Sequence, residues 1–197
     1  MKMEKLESFI NSNFKFSKSE LEKIFDCFES DSVGKKEYFL KEGQHCENVA
    51  FVDSGSFIYY EMIDGEEKIV DFAFENEWIT DYKSLEDNVV SKKNIQSLEH
   101  ARILVMDGDK MDLLSKEIPK VKEFRIALAE QYFTRSDQRK SNKTNLDVKD
   151  RYEALLKETP EIVQRIPQDY IASYLGIQTQ ALSRIRAQNR IANTPKK

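Results

Sequence analysis

Cysteine, histidine and tryptophan are scarce in this chain, which has two, two and one of them among 197 residues, and the first two scarcities each close off a class of protein. Cys27 and Cys46 are too few for a disulfide scaffold or a four-thiolate iron–sulfur cluster, so they read as free thiols. His45 and His100 stand alone and far apart in sequence, which gives no case for a haem or metal site. No apolar run approaches the roughly 18 residues of a spanning helix, and the charged stretch Met1 to Lys5 leads into no apolar signal core. A cytoplasmic protein without membrane attachment is expected. A Gly-rich phosphate loop, a His-Glu zinc helix and a Ser or Cys in a nucleophile elbow are all missing, so the reading is of a protein that is not an enzyme, with no catalytic residues and no cofactor. Arginine is also absent from Met1 to His100.

What is present suits a folded chain with an uneven charge. Hydrophobic residues make up 40% of the sequence, enough for one large domain or two modest ones with real cores. The net charge is −4, but residues 151–197 hold eight Lys or Arg against four Asp or Glu. The basic character therefore gathers at one end, which fits a tail that meets a polyanion and a body that does not.

From Leu6 to Phe28 apolar residues recur at three- and four-residue steps, predicting two short helices broken near Asn11 to Ser19. Between Tyr38 and Met106 the pattern changes to short β-branched and aromatic runs at Val49–Val52, Phe57–Met62, Lys68–Phe74 and Arg102–Met106. Turn residues separate them, and Asp64-Gly65 is a strong hairpin signal because both positions tolerate positive φ. Strands at short spacing without intervening helices predict an antiparallel sandwich or barrel.

Helical spacing returns at Asp107–Leu114, and Pro119 opens a long helix to about Ser141. Two apolar stripes run along it. Val121, Phe124, Leu128 and Tyr132 share one face, while Ile126, Ala129 and Phe133 lie about a third of a turn away. One stripe packs on the helix's own β domain and the other needs a partner, for which a second copy of the chain is the simplest candidate. The first stripe is taken as the dimer interface. A polar, hinge-like stretch, Ser136 to Asn145, follows, and the chain reads as helical from Leu146 onward.

The sharpest motif lies between Gln168 and Ala187. Two helices crossing tightly need a small residue, a turn residue that accepts positive φ, and apolar residues at fixed steps around them. Ala172 is the small residue, Gly176 the turn, and Ile171, Leu175, Ile177, Leu182 and Ile185 the shared core. Pro167 and Asp169 suit a helix start. In that register the second helix presents Gln178, Thr179, Gln180, Ser183, Arg184 and Arg186 outward. Such residues read grooves, Gln pairing with adenine and Arg with guanine, and no carboxylate occurs from Gln178 to Lys197.

These residues carry a resemblance to the Crp/Fnr regulators, spanning about Glu37 to Gln188. It rests on Leu40 to Gly43, Val49 to Phe57 with Gly55, Leu146 to Arg151, and above all the run Pro167-Gln168-Asp169-Tyr170-Ile171-Ala172-Ser173-Tyr174-Leu175-Gly176-Ile177 before Leu182-Ser183-Arg184. The resemblance implies an α+β fold of three parts. Residues 1–117 form a double-stranded β-roll, or jelly roll, of the cyclic-nucleotide-binding kind with N-terminal helices. Residues 118–145 form the dimerisation helix and hinge, and residues 146–197 the helix-turn-helix. It implies a homodimer that binds double-stranded DNA at a two-fold operator, with RNA polymerase as a further partner if it activates. Arg184 matches a family arginine that contacts DNA, whereas Thr179 and Gln180 stand where the cAMP receptor protein has its base-reading Arg and Glu.

The family's cyclic-nucleotide cassette uses a Gly-Glu pair for the ribose and an Arg-Ser or Arg-Thr pair for the phosphate, since an anion needs a fixed guanidinium fork and backbone donors. Here the corresponding stretches read Asn76-Glu77-Trp78, Thr80-Asp81-Tyr82 and Lys92-Lys93-Asn94. The effector, if there is one, is expected not to be cAMP but a small molecule in a reshaped pocket lined by Trp78, Tyr82, Lys92 and Lys93; a factor without a ligand is the other reading. A β-roll signalling or scaffold module whose terminal helices bind protein instead of DNA also stays open.

Overall fold

The computed structural model describes residues 3–192, except the side chains of residues 131, 135–136, 138–145 and 189–192. The chain divides into two compact units: Met1–Glu61 with Asp71–Thr134, and Met62–Val70 with Arg135–Lys197.

The first unit opens with α1 (Glu4–Asn13) and α2 (Lys18–Asp26), the two short helices the periodicity predicts. They are separate because Ser17 restarts the helix: its hydroxyl accepts the Glu20 N–H at 3.3 Å and the Glu20 carboxylate accepts the Ser17 N–H at 2.6 Å, a reciprocal capping box. Eight strands follow: β1 (Glu29–Val33), β2 (Tyr38–Leu40), β3 (Asn48–Ser54), β4 (Phe57–Ile63), β5 (Glu66–Ala73), β6 (Trp78–Ile79), β7 (Asn94–Ser97) and β8 (Ala101–Asp107), with α3 (Tyr82–Asp87) between β6 and β7. They form two four-stranded sheets, ordered β1-β8-β3-β6 and β2-β7-β4-β5. The β3–β8 register sets Ala50 opposite Val105 and Phe51 opposite Leu104, and Phe51, Phe57, Ile58, Ile79, Ile95 and Ile103 are fully buried. Burial of aliphatic and aromatic surface on this scale is the main stabilising term.

Two turns need the left-handed backbone. Asp64 and Gly65 have φ of 53° and 81°, as the hairpin signal requires. Gly55, at φ +103°, has no room for a side chain: a Cβ there would lie 2.6 Å from that of Ala101.

After β8, Asp107 caps α4 (Gly108–Glu117), accepting N–H groups of Asp109 at 2.8 Å and Lys110 at 3.2 Å. The long helix α5 (Lys120–Asn145) then begins directly after Pro119. It continues through Ser136 to Asn145, where a hinge-like stretch was expected; residues such as Gln and Lys are good helix formers and need no buried face to extend a helix already nucleated. Among the described residues no helix is long and apolar enough to cross a membrane.

The second unit is helical apart from its Met62–Val70 hairpin segment. Asp147 caps α6 (Val148–Glu158), accepting the Asp150 N–H at 2.9 Å. Then come α7 (Ile162–Arg165), α8 (Gln168–Leu175) and α9 (Thr179–Ala192). Its core is Tyr152, Leu155, Ile162, Ile166, Ile171, Ala172, Leu175 and Leu182, all buried.

Candidate nucleic-acid interface

The α8–α9 pair is built around a tight chain reversal. Gly176 has φ +69°, its N–H bonds to the Ser173 carbonyl at 3.0 Å and the Ile177 N–H to the Ala172 carbonyl at 3.0 Å. This double closure ends a helix whose next residue is left-handed. Arg151 reaches across from α6 to donate to the Leu175 carbonyl at 3.1 Å, taking up another end carbonyl of α8. Ala172 and Leu182 are 1% and 0% exposed, so both lie in the core of the helical unit.

The turn leaves one face of α9 outward. Gln178, Thr179, Gln180, Ser183 and Arg184 are exposed, and Arg186 is half-buried. The Gln178 carbonyl accepts the Ala181 and Leu182 N–H groups at 3.0 and 3.2 Å, which places Gln178 at the start of the helix beside its positive dipole end. A residue outside the predicted set organises this face: the Gln168 amide donates to the Thr179 carbonyl at 3.2 Å and the Ser183 hydroxyl at 2.5 Å, and accepts from Arg186 at 3.4 Å. Ser183 in turn donates to the Thr179 carbonyl at 3.1 Å. Ser183 and Arg186 are therefore used within the helix pair, and the side chains presented outward are those of Gln178, Thr179, Gln180 and Arg184. Gln168 lies ten or more residues from its partners, a spacing that no local pattern signals.

The α5 stripe assigned to the dimer interface is corrected. Val121 and Phe124 are 2% and 4% exposed in the core that also holds Leu6, Phe51 and Leu114; Leu128 packs on that core, and Tyr132 turns to Asp81. The β-roll consumes this stripe because sheet and N-terminal helices offer it a large apolar surface. The other stripe stays outward, with Ile126 56% and Phe133 53% exposed. Arg125 fixes the helix's rotation, pairing with Glu86 of α3 at 2.7 Å and with Asp112 of α4.

The residues proposed to line one effector pocket are not brought together. Trp78 sits among aromatic rings of the core, 5.1 Å from Phe51 and 5.2 Å from Phe124 between centroids. Lys92 is exposed. Tyr82 and Lys93 do converge, through α5: Tyr82 stacks at 6.0 Å on Tyr132, and Lys93 donates to the Tyr132 hydroxyl. Lys93 also pairs with Asp81 at 3.2 Å, Tyr132 donates to the same Asp81 oxygen at 3.2 Å, and Ser91 donates to the other at 2.8 Å. Burial opposes the charge on Lys93, yet the Tyr132 and Asp81 oxygens facing it more than offset that and hold the ammonium above its ordinary range. Burial likewise pushes the Tyr132 phenol and the Cys46 thiol up.

No family model matches the sequence, and no curated protein matches it. Solved structures do. FixK2 from Bradyrhizobium japonicum superimposes with a TM-score of 0.74 at 15% identity, over 84% of this chain and 85% of that one. CLP from Xanthomonas campestris, described as a c-di-GMP responsive global regulator, gives 0.69 at 12% identity, over 92% and 96%. A protein from Eubacterium rectale, described as a transcriptional regulator of the crp/fnr family, gives 0.68 at 16%, over 92% and 87%. Likeness at such identities shows the fold alone: two antiparallel sheets, a long helix and a terminal set of helices, as in these structures, one of which is described as a regulator of the crp/fnr family.

Proposed function

We propose that this protein is a sequence-specific DNA-binding transcription regulator that acts as a homodimer on an inverted-repeat operator. The observation that carries the reading is the outward face of α9, where Gln178, Thr179, Gln180 and Arg184 are exposed at the N-terminal half of a helix held by the Ala172, Gly176 and Leu182 crossing. A helix so presented fits the major groove, where Gln and Arg read purine edges and Thr a phosphate or methyl group. The absence of carboxylates from Gln178 onward avoids repulsion from phosphates.

Two copies are required because one helix reads only a half-site. The exposed Ile126 and Phe133 of α5 supply an apolar stripe for pairing, and the two α9 helices then meet half-sites about one helical turn, roughly 34 Å, apart. RNA polymerase is a partner if the outcome is activation. The test is selection of operator DNA from a random pool followed by titration. An inverted repeat is expected to emerge, and Arg184→Ala to weaken specific binding by about 1–3 kcal/mol. Recovery of no repeat, or an Arg184→Ala variant with unchanged affinity, returns the C-terminal helices to a protein-binding role.

A further inference from the structure

Asp81 occupies the position just before α3, where an aspartate ordinarily caps its own helix, but its side chain makes no capping bond. It is turned instead to Lys93, Tyr132 and Ser91, which place three donors on its two oxygens. The carboxylate is nearly enclosed, at 6% exposure, and Lys93 is 22% exposed. The backbone of Asp81 is itself held, its N–H donating to the Cys46 sulfur at 3.4 Å. These groups come from three separate elements, the β6–α3 junction, the segment entering β7, and α5.

We propose that Asp81 is a built-in counter-anion: the chain's own carboxylate fills the place beside Lys93 that an anionic effector would need, and so locks α5 to the β-roll through Tyr132 without a ligand. An enclosed carboxylate with three donors is expensive to displace, because a competing anion must leave water and expel a group already paired. Lys93 has no guanidinium fork with which to hold a second anion side by side. The lock acts at the middle of α5, one residue before the exposed Phe133, so it sets the orientation of the apolar stripe offered for pairing. The inference deepens the regulator reading by assigning how the sensor half is held, but it concerns the free protein and is tested without DNA.

The experiment compares thermal unfolding of the full chain and of Asp81→Asn, in sodium chloride and in inorganic phosphate or cAMP at matched ionic strength. Wild type is expected to show only the general salt effect of phosphate, the same shift as Lys93→Met shows, and no shift with cAMP. Asp81→Asn is expected to melt roughly 6–20 °C lower, and phosphate to return part of that loss only while Lys93 is present, so that Asp81→Asn with Lys93→Met shows no more than the general salt effect. Stabilisation of the wild type by phosphate beyond that of Lys93→Met, or by cAMP, overturns the proposal, as does an Asp81→Asn variant that gains no more from phosphate than the double variant does. If Asp81→Asn does not fold, the pair is read from Lys93→Met and the double variant: a double variant at least as stable as Lys93→Met supports the lock, and an unfolded or less stable one overturns it.

Discussion

Lys93 and Arg184 are both cations on polar faces of this chain, yet their surroundings differ in kind. Lys93 is turned inward onto Asp81 and Tyr132, within a cluster whose hydrogen-bonding capacity is met at home. Arg184 is exposed on α9 beside Gln178, Thr179 and Gln180. Buried polar groups are stable only when paired, while exposed ones keep donors available for a partner. Lys93 thus serves the geometry of its own unit, while Arg184 keeps its donors available. The same contrast divides α5, whose Val121 and Phe124 are consumed by the core while Ile126 and Phe133 are not.

The largest effect that sharpens this contrast comes from the core under α9. Leu182 is 0% exposed, and Leu182→Ala should remove about 2–5 kcal/mol from the helical unit and abolish operator binding. Circular dichroism and near-ultraviolet melting should show a lowered helical transition with the β-roll transition kept. A single transition shifted as a whole breaks the division into separately stabilised units.

Next in size is the pairing of copies. Ile126→Asp places a charge on the outward stripe and is expected to raise the dimer dissociation constant at least tenfold, equivalent to about 1.4 kcal/mol. Val121→Ala, on the inward stripe, should leave dimerisation unchanged and lower subunit stability. Sedimentation equilibrium decides between the stripes, and the reverse pattern restores the inward stripe as the interface.

A smaller effect is expected at Gln168, which ties α8 to the backbone and side chains of α9. Gln168→Ala should cost about 0.5–1.5 kcal/mol of stability, and operator affinity should fall because the angle of α9 relaxes. The measurement is a binding isotherm beside a denaturant melt, and an affinity loss with no stability loss assigns Gln168 to the DNA contact itself.

How much of this was readable beforehand depends on whether the deciding contact is local. The Asp64-Gly65 hairpin, the Asp107 region and the Gly176 turn that ends α8 follow from residues a few positions apart, and the sequence resolves them. β1 escapes because Glu29-Ser30-Asp31-Ser32 is polar on both faces, and only its pairing with β8 makes it a strand; β6 escapes because it has two residues. The two stripes of α5 are equally apolar in pattern, so nothing in the helix itself says which one the β-roll will cover. The Asp81 cluster was legible only as a departure, Asp and Lys standing where the resembled family holds a sugar and a phosphate. That the two meet each other is a long-range fact.

The smallest expected effect follows from the ammonium of Lys93, which Asp81 and Tyr132 face from the β6–α3 junction and α5, with Ser91 on the carboxylate's far side. Its value in the fold is raised above the unfolded value of about 10.4. The stabilisation it brings is therefore complete at neutral pH, begins to fall as pH passes the unfolded value, and is gone once pH exceeds the folded one. The Tyr132 phenol, raised by burial, loses stability in the same direction, and because Lys93 holds that rise back in wild type, Lys93→Met moves the phenol's own loss to still higher pH. The difference in denaturant midpoint between those two proteins should accordingly be constant from pH 6 to pH 9 and shrink beyond about pH 10.5. A difference that persists undiminished above that range breaks the assignment of the effect to the Lys93 ammonium; a difference absent at every pH means that the inward-facing cation contributes no more than an exposed one, and the contrast with Arg184 fails.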